Sequence, residues 1–178
     1  MGELIPVHSE EEHTGGQTTV LSEAEMAAID AEIAHVPYRA PVAIDALKIV
    51  QAHRGWVSDA SLRAIAGHLQ MSADELEGIA TFYNLIFRRP VGEKVILLCN
   101  SISCWISGCD SLQAGLSTKL GIGFGETTAD NRYTLLPVTC LGACDKAPVM
   151  MVGDDLHELV DETVLASLFG GEGGPDEP

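Results

Sequence analysis

Five cysteines stand in this chain of 178 residues, and four of them fall into two closely spaced pairs. Cys99 and Cys104 enclose Asn-Ser-Ile-Ser, and Cys140 and Cys144 enclose Leu-Gly-Ala. Thiolate sulfur is a soft ligand that suits iron, and four thiolates complete a 2Fe–2S core, a carrier of single electrons. The small residues between them, Asn100, Ser101, Ser103, Gly142 and Ala143, leave room for backbone N–H groups to approach the sulfurs, and such hydrogen bonds raise a cluster's potential. Structural zinc also accepts four cysteines, and the spacing does not exclude it. A thioredoxin-type dithiol requires C-x-x-C, which is absent. The plant-type ferredoxin pattern opens with the same C-x4-C but needs a third cysteine where this chain has Ser107. The fifth cysteine, Cys109, follows Gly108 and reads as a partly buried free thiol outside the ligand set. Trp105, next to Cys104, fits two roles equally: a cover that keeps water away or meets a partner, and ordinary packing.

Four ligands far apart in sequence must be gathered by the fold. Residues 94–99 (KVILLC) read as a buried strand, and residues 133–139 (YTLLPVT) as a second whose Pro137 suggests an edge or a bulge. Each cysteine pair then begins where a strand ends, so two loops at one end of a sheet could face each other. A helix over 110–121 with Leu112, Leu116 and Leu120 on one face would make the crossover. Strands at 149–152 and near 156–160 and a closing helix at 161–169 complete a β, loop, α, β, loop, β, β, α order. GIGFGE (121–126) follows a helix rather than a strand and lacks dinucleotide-loop spacing, so it reads as a turn.

The first half has a different period. Ser22 and Glu25, and again Ser72 and Glu75, have capping-box spacing. Four short helices are expected: from Ser22 to about His35 with Met26, Ile29 and Ile33 inward; from Val42 to His53 with Ile44, Leu47, Ile49 and Val50 inward; from Ser58 with Leu62, Ile65, Ala66 and Leu69; and from Ser72 through Leu76, Ile79, Phe82, Tyr83 and Phe87. Pro37 stops the first, and Gly55 suits the end of the second. The fold class is therefore α+β. The division is an acidic disordered arm (1–21), a small helical bundle (22–89), a mixed domain (90–169) and a disordered tail (170–178).

The formal net charge of −16 is uneven. Residues 1–38 and residues 151–178 each hold eight acids and no Lys or Arg, while the stretch between is balanced. Clustered cations are lacking, which argues against nucleic acid. No apolar run approaches the ~20 residues of a membrane span, and the start lacks a secretory signal, so no direct membrane insertion is expected and the cytoplasm is the default location. The six histidines are scattered, and no hydrolytic triad or paired catalytic carboxylates can be argued.

With the cysteines placed, the chain resembles the thioredoxin-like 2Fe–2S subunit of the NADH-oxidising module of bacterial respiratory complex I. The resemblance is carried by HRGWVSD (53–59), EGIATFYN (77–84), FRRPVG (87–92), CNSISC (99–104), the Thr pair at 127–128 and TLLPVTCLGACDKAPVMM (134–151). It implies a helical bundle followed by a thioredoxin-like 2Fe–2S domain, with Cys99, Cys104, Cys140 and Cys144 as ligands of one cluster. It also implies a partner flavoprotein subunit that holds FMN, the NADH site and a 4Fe–4S cluster, other peripheral-arm subunits of complex I, and a cytoplasmic place peripheral to the inner membrane. Neither FMN nor NADH is expected on this chain, which would not be catalytic alone. Related subunits of NAD-linked formate dehydrogenases and hydrogenases share the cysteine spacing and remain alternatives, as does a zinc-stabilised scaffold.

Overall fold

Both capping boxes form as the sequence requires. The Ser22 hydroxyl accepts from the Glu25 N–H at 3.2 Å while the Glu25 carboxylate accepts from the Ser22 N–H at 2.7 Å. Ser72 and Glu75 repeat the exchange at 3.1 Å in each direction. Each pair satisfies donors that a helix start leaves open. The computed structural model describes residues 20–170. The arm expected over 1–21 and the tail expected over 170–178 lie almost wholly outside the described residues.

The chain divides into two compact units at Arg88/Arg89. The first contains α1 (Glu23–Ile33), α2 (Ala43–Arg54), α3 (Asp59–Leu69) and α4 (Ala73–Phe82). Their common core is Ile29, Leu47, Val50, Ile65, Leu69 and Leu76, all fully enclosed. Each such side chain contributes roughly 1.5–3 kcal/mol on leaving water. Gly55 ends α2 at φ +82°, a conformation open to glycine.

Two expected faces are corrected. In α2 the buried stripe is Ala43, Ala46, Leu47 and Val50, with Ile44 and Ile49 only half-buried at its sides. The i, i+3, i+4, i+7 spacing is kept but turned toward the alanines, which let neighbouring helices approach. In α4 the helix stops at Phe82 rather than continuing through Phe87, because Tyr83 adopts extended backbone (φ −90°, ψ 106°). Leu76 and Ala80 are buried, while Phe82 is 79% and Tyr83 42% exposed. Ile86 turns back into the core instead.

Arg88 ties the end of this unit to its helices. Its guanidinium donates to Glu77 at 2.8 Å, to Asp59 at 2.6 Å and to the Val57 carbonyl.

The second unit holds β1 (Lys94–Cys99), α5 (Ile102–Ile106), α6 (Cys109–Leu120), β2 (Tyr133–Val138), β3 (Met150–Val152), β4 (Asp155–His157) and α7 (Glu162–Phe169). The sheet order is β2-β1-β3-β4. β1 and β2 run parallel, with Lys94 opposite Tyr133 and Cys99 opposite Val138. The hairpin β3–β4 adds antiparallel on the other side of β1. Pro137 sits on the edge strand β2, where its missing N–H costs no ladder bond. The core gathers Ile96, Leu98, Leu135 and Met150 from the sheet against Leu112 and Leu116 of α6 and Leu165 of α7.

Gly92 shows why its motif needs a glycine. Its N–H donates to the Thr134 hydroxyl at 2.7 Å, and that hydroxyl pairs with Thr127 at 2.8 Å. A Cβ at Gly92 would stand 2.9 Å from the Asn131 carbonyl oxygen and 3.0 Å from the Tyr133 nitrogen, both backbone atoms that cannot swing aside. Gly92→Ala is expected to destabilise this unit by about 1–3 kcal/mol, read from the shift of its chemical denaturation midpoint.

Candidate iron–sulfur site

Cys99 is the last residue of β1, and Cys140 follows the end of β2 by two residues. Parallel pairing in register puts both strand ends on one side of the sheet. The Asn100 N–H donates to the Val138 carbonyl at 3.0 Å and the Cys99 N–H to the Val149 carbonyl at 3.2 Å, which anchors the departing chain. Sequence reasoning missed the form of the two ligand loops. The segment after Cys99 is a short helix, α5, which carries Cys104 inward, and the segment after Ala143 is a 3-10 turn that starts at Cys144. Gly108, at φ +94°, then lets the chain turn sharply into α6.

Two sulfurs are enclosed and two are open. Cys99 and Cys104 are each 1% exposed, whereas Cys140 and Cys144 lie at the surface. The Cys140 and Cys144 sulfurs are 3.6 Å apart. The Gly142 N–H, in a turn with φ +84°, points at the Cys140 sulfur at 3.4 Å. Burial pushes the Cys104 thiol up to about 11, with the neighbouring Cys99 and Cys109 sulfurs adding to the rise and a backbone hydrogen bond to Val149 opposing it. Cys144 is raised by its hydrogen bond to Cys140 and by the charge of Cys140, with Cys99 adding a smaller push, while Ser103 of α5 hydrogen-bonds it in the opposite sense.

Among the described residues no group of three or more His, Cys, Asp or Glu side chains stands close enough to hold a single metal ion. The Cys140 and Cys144 sulfurs form one close pair, and a 2Fe–2S core, which divides its ligands between two irons, would take two such pairs. The donor set fits such a cluster: soft, paired, half enclosed and supplied with backbone N–H donors. Because raised thiols hold their protons at neutral pH, loading the site must release them.

Cys109 is 2% exposed at the start of α6, its sulfur 3.8 Å from the Asp110 carboxylate, and burial raises its pKa. Trp105 is 56% exposed and donates its indole N–H to Asp110 at 3.1 Å, so it is not core packing.

The family of thioredoxin-like [2Fe-2S] ferredoxins matches residues 29–170, and the chain belongs to that family. It is 51% identical over 150 residues to the E subunit of the NADH-quinone oxidoreductase of Pseudomonas aeruginosa, covering 84% of this chain and 90% of the relative. It is likewise 51% identical over 149 residues, again 84% and 90%, to the corresponding chain of Escherichia coli strain K12. Among solved structures, an H2-reduced NAD+-reducing [NiFe]-hydrogenase aligns with a TM-score of 0.63 at 22% identity, covering 74% of this chain and 22% of that chain. That likeness speaks for the fold. The chain spans about a fifth of the hydrogenase chain.

Proposed function

We propose that Cys99, Cys104, Cys140 and Cys144 hold the cluster. The chain is a 2Fe–2S electron-transfer subunit of an NADH-quinone oxidoreductase and acts only as part of that enzyme. The observation that carries the ligand set is the parallel β1–β2 pair, which supports one meeting place for all four sulfurs. The half-identical relatives from NADH-quinone oxidoreductases favour this assembly over a hydrogenase module, which shares only the fold. The working parts in this reading are the bundle over 22–89 and the thioredoxin-like domain over 90–169. The neighbour is a flavoprotein subunit with FMN, the NADH site and a 4Fe–4S cluster. No described helix is long and apolar enough to cross a membrane. A cytoplasmic position, peripheral to the inner membrane through the other subunits, accords with that.

When bound, the cluster supplies reversible one-electron storage. The chain's own residues set its surroundings. The enclosed Cys99 and Cys104 thiols keep water from one side. The Gly142 N–H on the Cys140 sulfur would stabilise sulfur charge and so favour the reduced state. Anaerobically prepared protein is expected to contain about two irons and two sulfides per chain and to give a spin-one-half EPR signal after dithionite reduction. Cys109→Ser is expected to leave that signal unchanged. One zinc without sulfide, or loss of the signal in Cys109→Ser, would overturn the assignment.

A further inference from the structure

Cys99, Cys104 and Cys109 are buried as free thiols, while Cys140 and Cys144 are exposed. The two exposed sulfurs stand 3.6 Å apart. A disulfide bond is about 2 Å long, so they join after an approach of roughly 1.6 Å. The segment between them suits that approach. It is Leu-Gly-Ala, it leads from β2 to the 3-10 turn that begins at Cys144, and Gly142 bends it at φ +84°. Neither exposed cysteine belongs to a hydrophobic core, so a small shift of either sulfur disturbs no packing. Thiol–disulfide exchange needs the attacking sulfur to meet the S–S bond of the reagent directly. A reagent in solution therefore reaches Cys140 and Cys144 and is kept from the other three.

We infer that Cys140 and Cys144 are a site of reversible oxidation by low-molecular-weight disulfides, and that the bond they form keeps the chain from taking up its cluster until it is reduced. The second half of this inference rests on the ligand set proposed above. The reaction has two exchanges. One sulfur attacks the S–S bond of the reagent, forming a mixed disulfide and releasing one small thiol. The second sulfur attacks that mixed disulfide, closes the Cys140–Cys144 bond and releases the second small thiol. The protein gives up two electrons and two protons, and both leave on the two small thiols. The nearness of the second sulfur makes the mixed disulfide short-lived. A disulfide sulfur is no thiolate, so the oxidised chain offers two of its four ligands. An exposed bond of this kind is readily reduced again by a dithiol.

The test uses the full-length chain, stripped of metal by a chelator under reductant, desalted without air and incubated with glutathione disulfide. Intact mass, peptide mapping after alkylation, and uptake of ferrous iron and sulfide followed by EPR are the readouts. The unaltered chain is expected to become lighter by two hydrogen atoms, to retain no glutathione and to carry its new bond between Cys140 and Cys144. Cys140→Ser is expected to retain one glutathione on Cys144, since no second sulfur resolves it, and Cys109→Ser to behave as the unaltered chain. The oxidised chain is expected to gain at most about a tenth of the EPR signal of the reduced chain, and to regain the rest after dithiothreitol. The inference is overturned if the unaltered chain keeps a glutathione adduct, if the new bond includes Cys99, Cys104 or Cys109, or if the oxidised chain takes up the cluster as fast as the reduced one. A reduced chain that takes up no iron and sulfide, with the Cys140–Cys144 bond forming as expected, would sink the proposed ligand set instead and leave the oxidation site standing.

Discussion

Cys140→Ala is expected to abolish the spin-one-half EPR signal and to leave the helical and sheet content in place. The two halves of that result have separate causes. Cys140 is exposed, and its polar contacts are with the Cys144 sulfur and the Gly142 N–H. Cys140 belongs to neither hydrophobic core. Removing this thiol therefore leaves no cavity, and the sheet is still held by Ile96, Leu98, Leu135 and Met150 against α6 and α7. What is lost is one of four thiolates, with no other soft donor described beside the open loop to replace it. Cys104→Ala would be a poorer test, since Cys104 is enclosed and its loss combines a ligand defect with a packing defect. Iron and sulfide analysis, EPR and far-ultraviolet circular dichroism on the same preparation check the prediction. An unchanged EPR signal would exclude Cys140 from the ligand set, and collapse of secondary structure would make it a structural residue.

The site is legible in the sequence because its supports are local. KVILLC and YTLLPV announce strands by composition, and each delivers a cysteine at or just past its end, so parallel pairing needs only the intervening α6 as a crossover. The capping boxes are equally readable, being contacts between residues three apart. Two kinds of feature escape. α5 has no inward stripe to betray it: its apolar residues face outward and only Cys104 is buried, so periodicity suggests a loop. Phe82 and Tyr83 mislead for the same reason in reverse, since aromatic residues at helical spacing usually mark a core. The other kind is long-range. The collision that reserves position 92 for glycine involves Asn131 and Tyr133, and no window of sequence contains both sides.

Arg54 is the most consequential of these hidden partners, and Arg54→Met is expected to destabilise the helical bundle by about 3–5 kcal/mol. Its guanidinium meets both oxygens of Glu25 at 2.6 Å, with 10% and 2% of the two side chains exposed. It also donates to Ser61 at 3.1 Å and to the Val20 carbonyl at 3.0 Å. Removing it leaves a carboxylate enclosed without its counter-charge, which costs more than the intact pair contributes. The pH dependence supplies a second readout. The Arg54 hydrogen bonds hold the Glu25 carboxyl down at about 2, against an ordinary 4.5. A lowered folded-state pKa means the stabilisation is present above about 4.5 and is lost as pH falls toward 2. In Arg54→Met, burial without a partner pushes the same carboxyl above its ordinary value, so the sign reverses and mild acid stabilises the variant. The double variant Glu25→Leu/Arg54→Met, which removes both charges, is expected to recover most of the loss. Urea unfolding of the unaltered chain and both variants at neutral pH and near pH 4, followed by helical circular dichroism, measures each contribution. A cost below about 1 kcal/mol for Arg54→Met, or an unreversed pH slope, would mean that Glu25 is open to water and that the pair does not anchor α1 to α2.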